Sequence, residues 1–156
     1  MAQFYWQISG GFNNETGWLT TKNSYSFTST DINNRLVMYD YSDGTGYVGA
    51  PGWQWGNQIN DHVFDNWGGS AYWTDNSFFQ KGVPVTYLPN GQICLRSDPT
   101  QRLCNFTDRW IYWSNDPKAL YLTIKRVDVS SEEAQKLAES HPHVRAPVTQ
   151  RPATNP

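Results

Sequence analysis

The stretch Ala119-Leu120-Tyr121-Leu122-Thr123-Ile124-Lys125-Arg126-Val127 decides the fold class. Successive side chains of an extended chain point to opposite faces. Leu120, Leu122 and Ile124 therefore share one face, and Tyr121, Thr123 and Lys125 share the other. That alternation predicts a strand with one packed face and one wet face. The same period recurs upstream in residues 109–113, where Trp110 and Tyr112 alternate with Ile111 and Trp113. Ser114-Asn115-Asp116-Pro117 separates the two strands with turn chemistry. Residues 92–96 and 102–106 read as a hairpin, and residues 83–88 as a further strand. Pro89-Asn90-Gly91 follows, with Asn-Gly favouring a tight turn. Nearer the N-terminus, residues 4–8, 18–21, 25–28 and 35–41 also read as strands. In the last, Val37, Tyr39 and Tyr41 form the expected packing face, with Leu36, Met38 and Asp40 opposite. Short strands, frequent turns and no internal repeat predict an all-β sandwich or jelly roll.

The 156 residues fit one domain with a core of its own. Aromatics make up 15% of them, and charged residues 17%, below the usual quarter or so. A net charge of −2 with scattered basic residues excludes the basic footprint that nucleic acid requires. No apolar run is long enough to span a membrane as a helix. No charged and apolar leader precedes the first strand, so Met1 reads as a start placed before an already processed N-terminus.

Cys94 and Cys104 are the only cysteines. The turn chemistry of Arg96-Ser97-Asp98-Pro99-Thr100 between them would set them opposite each other in the hairpin. A disulfide there would add about 2.5–3 kcal/mol on the chain-entropy account and would argue for an oxidising compartment. Two buried free thiols are the alternative. The spacing does not match a zinc site.

Residues 36–80 stand apart from the patterned strands. They hold Trp53, Trp55, Trp67 and Trp73, five Asp, many Gly and Asn, and no Lys or Arg. Such a run offers what a sugar requires. Aromatic faces suit the weakly positive C–H face of a pyranose, and Asp and Asn supply fixed acceptors and donors for its hydroxyls. Residues 42–52 are too glycine-rich for regular structure, and residues 53–79 show only brief strand candidates at 62–65 and 71–74. Long ordered loops in a compact domain are usually functional. Trp53, Trp55, Trp67 and Trp73 are therefore the candidate platforms, with Asn57, Asp61, Asp65, Asn66 and Asp75 as the polar contacts. Gly68-Gly69 lets the backbone approach a ligand closely. The competing reading is that these rings are core.

Other chemistries find little support. A glycosidase uses two carboxylates, one of them a raised acid. Glu15 is the single Glu before residue 129, and no pair of Asp is singled out. His62 beside Asp61 has no G-x-S-x-G to complete a hydrolase motif. His141 and His143 could share a metal, but they lie in the tail, and Asp40 to Thr45 matches a calcium turn only in spacing. Asn14 and Asn105 fit glycosylation acceptor patterns. No catalytic residue, metal or cofactor is expected. Residues 1–128 form the expected carbohydrate-binding domain. Residues 129–156 form a segment that opens with a helix start, Ser130 capping and Glu133 reaching back, and ends in a Pro-rich tail.

The chain resembles the N-terminal lectin domain of a bacterial chaperone–usher fimbrial tip adhesin. The likeness rests on a single all-β domain of this size, one disulfide, the outgoing tail and the late strand Pro117-Lys118-Ala119-Leu120-Tyr121-Leu122-Thr123-Ile124-Lys125-Arg126. It covers residues 3–128 as architecture. It implies an elongated Ig-like sandwich on the cell surface that binds a host glycan, glycoprotein or glycolipid without a cofactor. Fimbrial subunits would be reached through a C-terminal module. A protein-binding surface module and a glycoside hydrolase are the rival readings.

Overall fold

The computed structural model describes residues 3–40, 46–55, 58–75, 82–130 and 132–133, except for the side chains of residues 39, 50–55, 58–61 and 75. The chain is all-β. Its strands are β1 (Gln3–Gly10), β2 (Glu15–Lys22), β3 (Tyr25–Ser29), β4 (Met38–Asp40), β5 (Val48–Trp55) and β6 (Gln58–Trp67). There follow β7 (Ser70–Asp75), β8 (Val85–Tyr87), β9 (Ile93–Leu95), β10 (Arg102–Asn105), β11 (Tyr112–Ser114) and β12 (Leu120–Asp128).

β1 organises the sheet. Phe4, Trp6 and Ile8 alternate inward and are wholly buried. One edge of β1 pairs antiparallel with β12, from Phe4 opposite Asp128 to Gly10 opposite Leu122. The other edge is divided: Gln7 to Gly10 pair with β2, while Gln3 and Phe4 pair with β4. β7 is divided in the same way. It gives one edge to β6 and shares the other between β3 at Tyr72 and β11 at Ser70. Divided edges let one sheet bend round and close on itself, so the fold is a barrel and not the expected sandwich or jelly roll of two stacked sheets. Closure leaves few free edges, β8 at the end of the order being one, while keeping one apolar face inward.

The core is aromatic at its centre. Phe64 touches Trp6, Trp73 and Trp113, with ring centroids 5.6, 4.9 and 5.3 Å away. Buried indoles need partners for their N–H groups. Trp6 Nε1 donates to Tyr87 Oη at 3.1 Å, and Trp113 Nε1 donates to the Asp65 carbonyl at 3.2 Å. β12 follows its alternation from Leu122 onward: Leu122 is core, Ile124 packs against it, and Thr123 and Lys125 are exposed. Leu120, expected on the packed face, is 42% exposed at the start of the strand.

Three further expectations are overturned. The first concerns β4, where Met38 is buried in the core and Leu36 packs against it. The Leu36/Met38 face packs, and Asp40 meets Arg126 at 2.7 Å. Second, residues 48–55 and 58–75 are not loops but belong to an antiparallel meander, β5 to β6 to β7. Gly49, Pro51 and Gly52 obscured β5, because Gly and Pro are depleted in strands. The register shifts between Ala50 and Trp53, so Pro51 and Gly52 fall in a bulge, where Pro is tolerated. Gly68 and Gly69, at φ 59° and 93°, form the two-residue turn of the β6–β7 hairpin. Third, Cys94 and Cys104 form no disulfide; both are buried free thiols. β9 and β10 do pair, but Cys94 lies opposite Arg102, two residues short of Cys104. A diagonal pair is too far apart for a bridge. Burial pushes the Cys104 thiol up to about 12 and raises Cys94 as well. The thiols give no argument for an oxidising compartment.

Candidate functional site

The site follows from the alternation of the β6–β7 hairpin. Phe64 and Trp73 are opposite each other and point inward. Their neighbours point outward: Asp65 and Trp67 on β6, Ser70, Tyr72 and Thr74 on β7. β3 lies next to β7 and brings Tyr25 opposite Tyr72. Trp110 joins through a bridge to Phe27. A row of rings therefore runs across the strands on the outer surface. Trp67 and Tyr72 are 4.9 Å apart, Tyr72 and Tyr25 5.0 Å, Tyr25 and Trp110 6.2 Å, Trp110 and Phe27 5.0 Å. Each contact is edge-to-face, the arrangement favoured by ring quadrupoles.

Trp67 is 62% exposed and Tyr25 is 38% exposed. Large aromatics normally bury, so an indole held this far out is informative. Beside it a cleft of about 250 Å³ opens where the edge of β7 passes from β3 to β11. Tyr25, Ser26, Ser70, Trp110, Ile111 and Tyr112 line it. It is smaller than the pocket of a drug-sized ligand and suits one ring-sized group. Its rings offer apolar faces, and the phenols of Tyr25 and Tyr112 and the Ser70 hydroxyl offer hydrogen bonds.

Polar groups flank the row. Asp65 Oδ2 accepts from Thr74 Oγ1 at 3.1 Å, and Asp65 Oδ1 from the Asn66 amide at 2.7 Å. A carboxylate has further lone pairs to offer. Asn66 Oδ1 is committed to the turn, accepting from the Gly69 amide at 2.9 Å. On the far side Arg109 pairs with Glu15 through two hydrogen bonds of 2.6 and 3.0 Å. Hydrogen bonding from Arg109 holds the Glu15 carboxyl below the ordinary carboxylate range and raises Arg109. That is opposite to the raised acid a glycosidase uses.

Of the sequence candidates, Asp65, Asn66 and Trp67 come together at the end of β6. Trp73 is 1% exposed, packed on Phe64 in the core, and presents no face to a ligand. Trp53 and Trp55 lie on β5, Asp61 on β6 and Asp75 on β7, paired with His62; their side chains lie outside the description. Asn57 lies outside the described residues, as do the calcium-like turn beyond Asp40 and both tail histidines. Sequence reasoning missed Tyr25, Ser70, Tyr72, Trp110 and Tyr112. The signal was present in residues 109–113 and 71–74, whose alternation separates the outward rings from the buried ones. Asn105 is buried, its Oδ1 accepting from the Phe12 amide, which removes it as a glycosylation acceptor. Among the described residues, no group of three or more His, Cys, Asp or Glu is placed to hold a metal.

No family model, no curated protein and no solved structure matches this chain.

Proposed function

We propose that this protein is a non-catalytic glycan-binding module whose ligand is a neutral sugar seated on the outer aromatic row of β6, β7 and β3. Trp67 is the exposed platform, and Trp110, Tyr25 and Tyr112 wall the cleft. Asp65 and Ser70 supply hydrogen bonds. The observation that carries the reading is the 62% exposure of Trp67 at one end of a row of ring contacts that leads to a ring-lined cleft. The pairing of Glu15 with Arg109 supports binding over hydrolysis. The proposal includes an adhesin role at the cell surface, with a host glycoprotein or glycolipid as partner. Its placement at a fimbrial tip, with fimbrial subunits reached through a C-terminal module, rests on the likeness of residues 117–126 to a late adhesin strand.

The test is a glycan array on the purified chain, repeated with Trp67→Ala and Trp110→Ala. Binding to neutral glycans, lost in both variants with the fold intact, is the expected result. A protein-binding module is the second reading, favoured by the concentration of Trp and Tyr on one face, as in interface hot spots. An empty array together with a recovered protein partner would replace the first reading by the second.

A further inference from the structure

A second cluster lies on the face of β1 away from the core, distinct from the aromatic row. Tyr5 alternates outward from Phe4 and Trp6, yet it is buried. Trp18 of β2 meets it edge-to-face, centroids 6.1 Å apart. The Arg35 guanidinium lies 4.1 Å over the Tyr5 ring and 5.5 Å from the centre of the Trp18 ring. A guanidinium over aromatic faces is held by the ring quadrupole and is pre-oriented to grip a carboxylate. One oxygen fills that grip. Glu133 Oε1 accepts from Arg35 Nη2 at 3.0 Å and from the Tyr5 hydroxyl.

The donors belong to the barrel, but the carboxylate belongs to the chain that leaves it. β12 ends at Asp128. The Val129 amide donates to the Gln3 carbonyl at 2.9 Å, continuing the β1 pairing. Ser130 Oγ accepts from the Glu133 amide at 3.1 Å, the N-cap arrangement that turns the chain into a helical start. Residues 132 and 133 are helical, and the turn sets Glu133 back over Tyr5. The cap read from the sequence forms, but Glu133 does not reach back to it; it reaches across to β1. Burial, followed by the hydrogen bond to Glu133, pushes the Tyr5 phenol up to about 12, so it remains a donor at neutral pH.

We infer that Tyr5, Trp18 and Arg35 form a built carboxylate receptor on the barrel wall, and that Glu133 is the latch that seats the outgoing segment 129–133 on it. The partner of this surface is thus a carboxylate carried on a capped turn of the same chain. The latch gives whatever follows residue 133 a fixed point of departure beside β1. This inference does not depend on the glycan reading.

The test is amide hydrogen exchange by NMR on the full chain and on Glu133→Gln and Tyr5→Phe. A latch is a local device, so its loss should open only what it holds. Exchange at Val129 and Glu133 is expected to rise about tenfold in both variants, while the Trp6 and Ile8 amides keep their rates. The charge-swapped double variant, Arg35→Glu with Glu133→Arg, is expected to recover part of the protection that Arg35→Glu alone loses. Unchanged exchange at Val129 in both single variants would overturn the latch. So would an equal rise throughout β1, which would make Glu133 a general stabilising residue, and so would absence of any rescue by the swap.

Discussion

The two faces of the β6–β7 hairpin are built from similar residues and have opposite fates. Phe64 and Trp73 on one face form the centre of the core. Trp67 and Tyr72, on the other, stand on the surface, also in ring contact. Ring content does not distinguish the pairs, and neither does position in the chain. Only the period of two does. An inward ring contributes through burial and packing; an outward ring leaves part of its apolar surface in water, where a ligand can cover it.

Substitutions that separate the two faces test this most strongly. Trp73→Ala should cost about 3–5 kcal/mol, the range for deleting a buried aromatic side chain. Trp67→Ala should change stability by under about 1 kcal/mol, because little of the ring is buried. Urea unfolding of both variants checks the pair, and equal losses would erase the distinction. The order reverses for ligand binding, where Trp67→Ala should lower glycan affinity about tenfold, or ~1.4 kcal/mol, by titration calorimetry.

Smaller effects come from the surroundings of the site. Glu15 has its pKa lowered in the folded chain by Arg109, against an ordinary value of 4.5. A lowered carboxylate binds fewer protons when folded than when unfolded. Its contribution is therefore present above about pH 4.5 and is lost as the pH falls through the folded value. Acid unfolding of Glu15→Gln should show a shallower decline below that pH than the parent chain. The difference should be small, since the pair is partly exposed. The smallest expected effect is none: adding a reductant should leave the melting temperature unchanged, because Cys94 and Cys104 are already thiols. A drop of several degrees would reveal a bridge.

The sequence was most legible where alternation was clean and turn residues were ordinary. In β12 from Leu122 onward the faces could be read from the alternation, although Leu120 is exposed. Around Ile111 and Trp113 the two sets of rings separate as their spacing predicts, although the strand itself is only Tyr112–Ser114. β5 could not, because Gly49, Pro51 and Gly52 carry a bulge that local propensity counts against a strand. The cysteine bridge failed on register, since the offset of β9 against β10 is set by tertiary packing and by the loop between them. Barrel closure was illegible for the same reason: a divided strand edge, as on β1 and β7, leaves no mark in local pattern. Of the candidate site, Asp65, Asn66 and Trp67 were named from composition. Tyr72 joins them within the same hairpin, opposite Asp65, whereas Tyr25 and Trp110 join only because β3 is brought beside β7 from some fifty residues earlier in the chain, a long-range pairing.

The central claim is that the outer row binds the sugar while the inner rings only hold the fold. The most direct measurement is a ¹H–¹⁵N map of the eight indole N–H groups during titration with the strongest neutral glycan from the array. The account predicts shifts at Trp67 and Trp110, with Trp6, Trp73 and Trp113 unmoved. Saturable shifts confined to other indoles, with Trp67 and Trp110 unmoved, would contradict it.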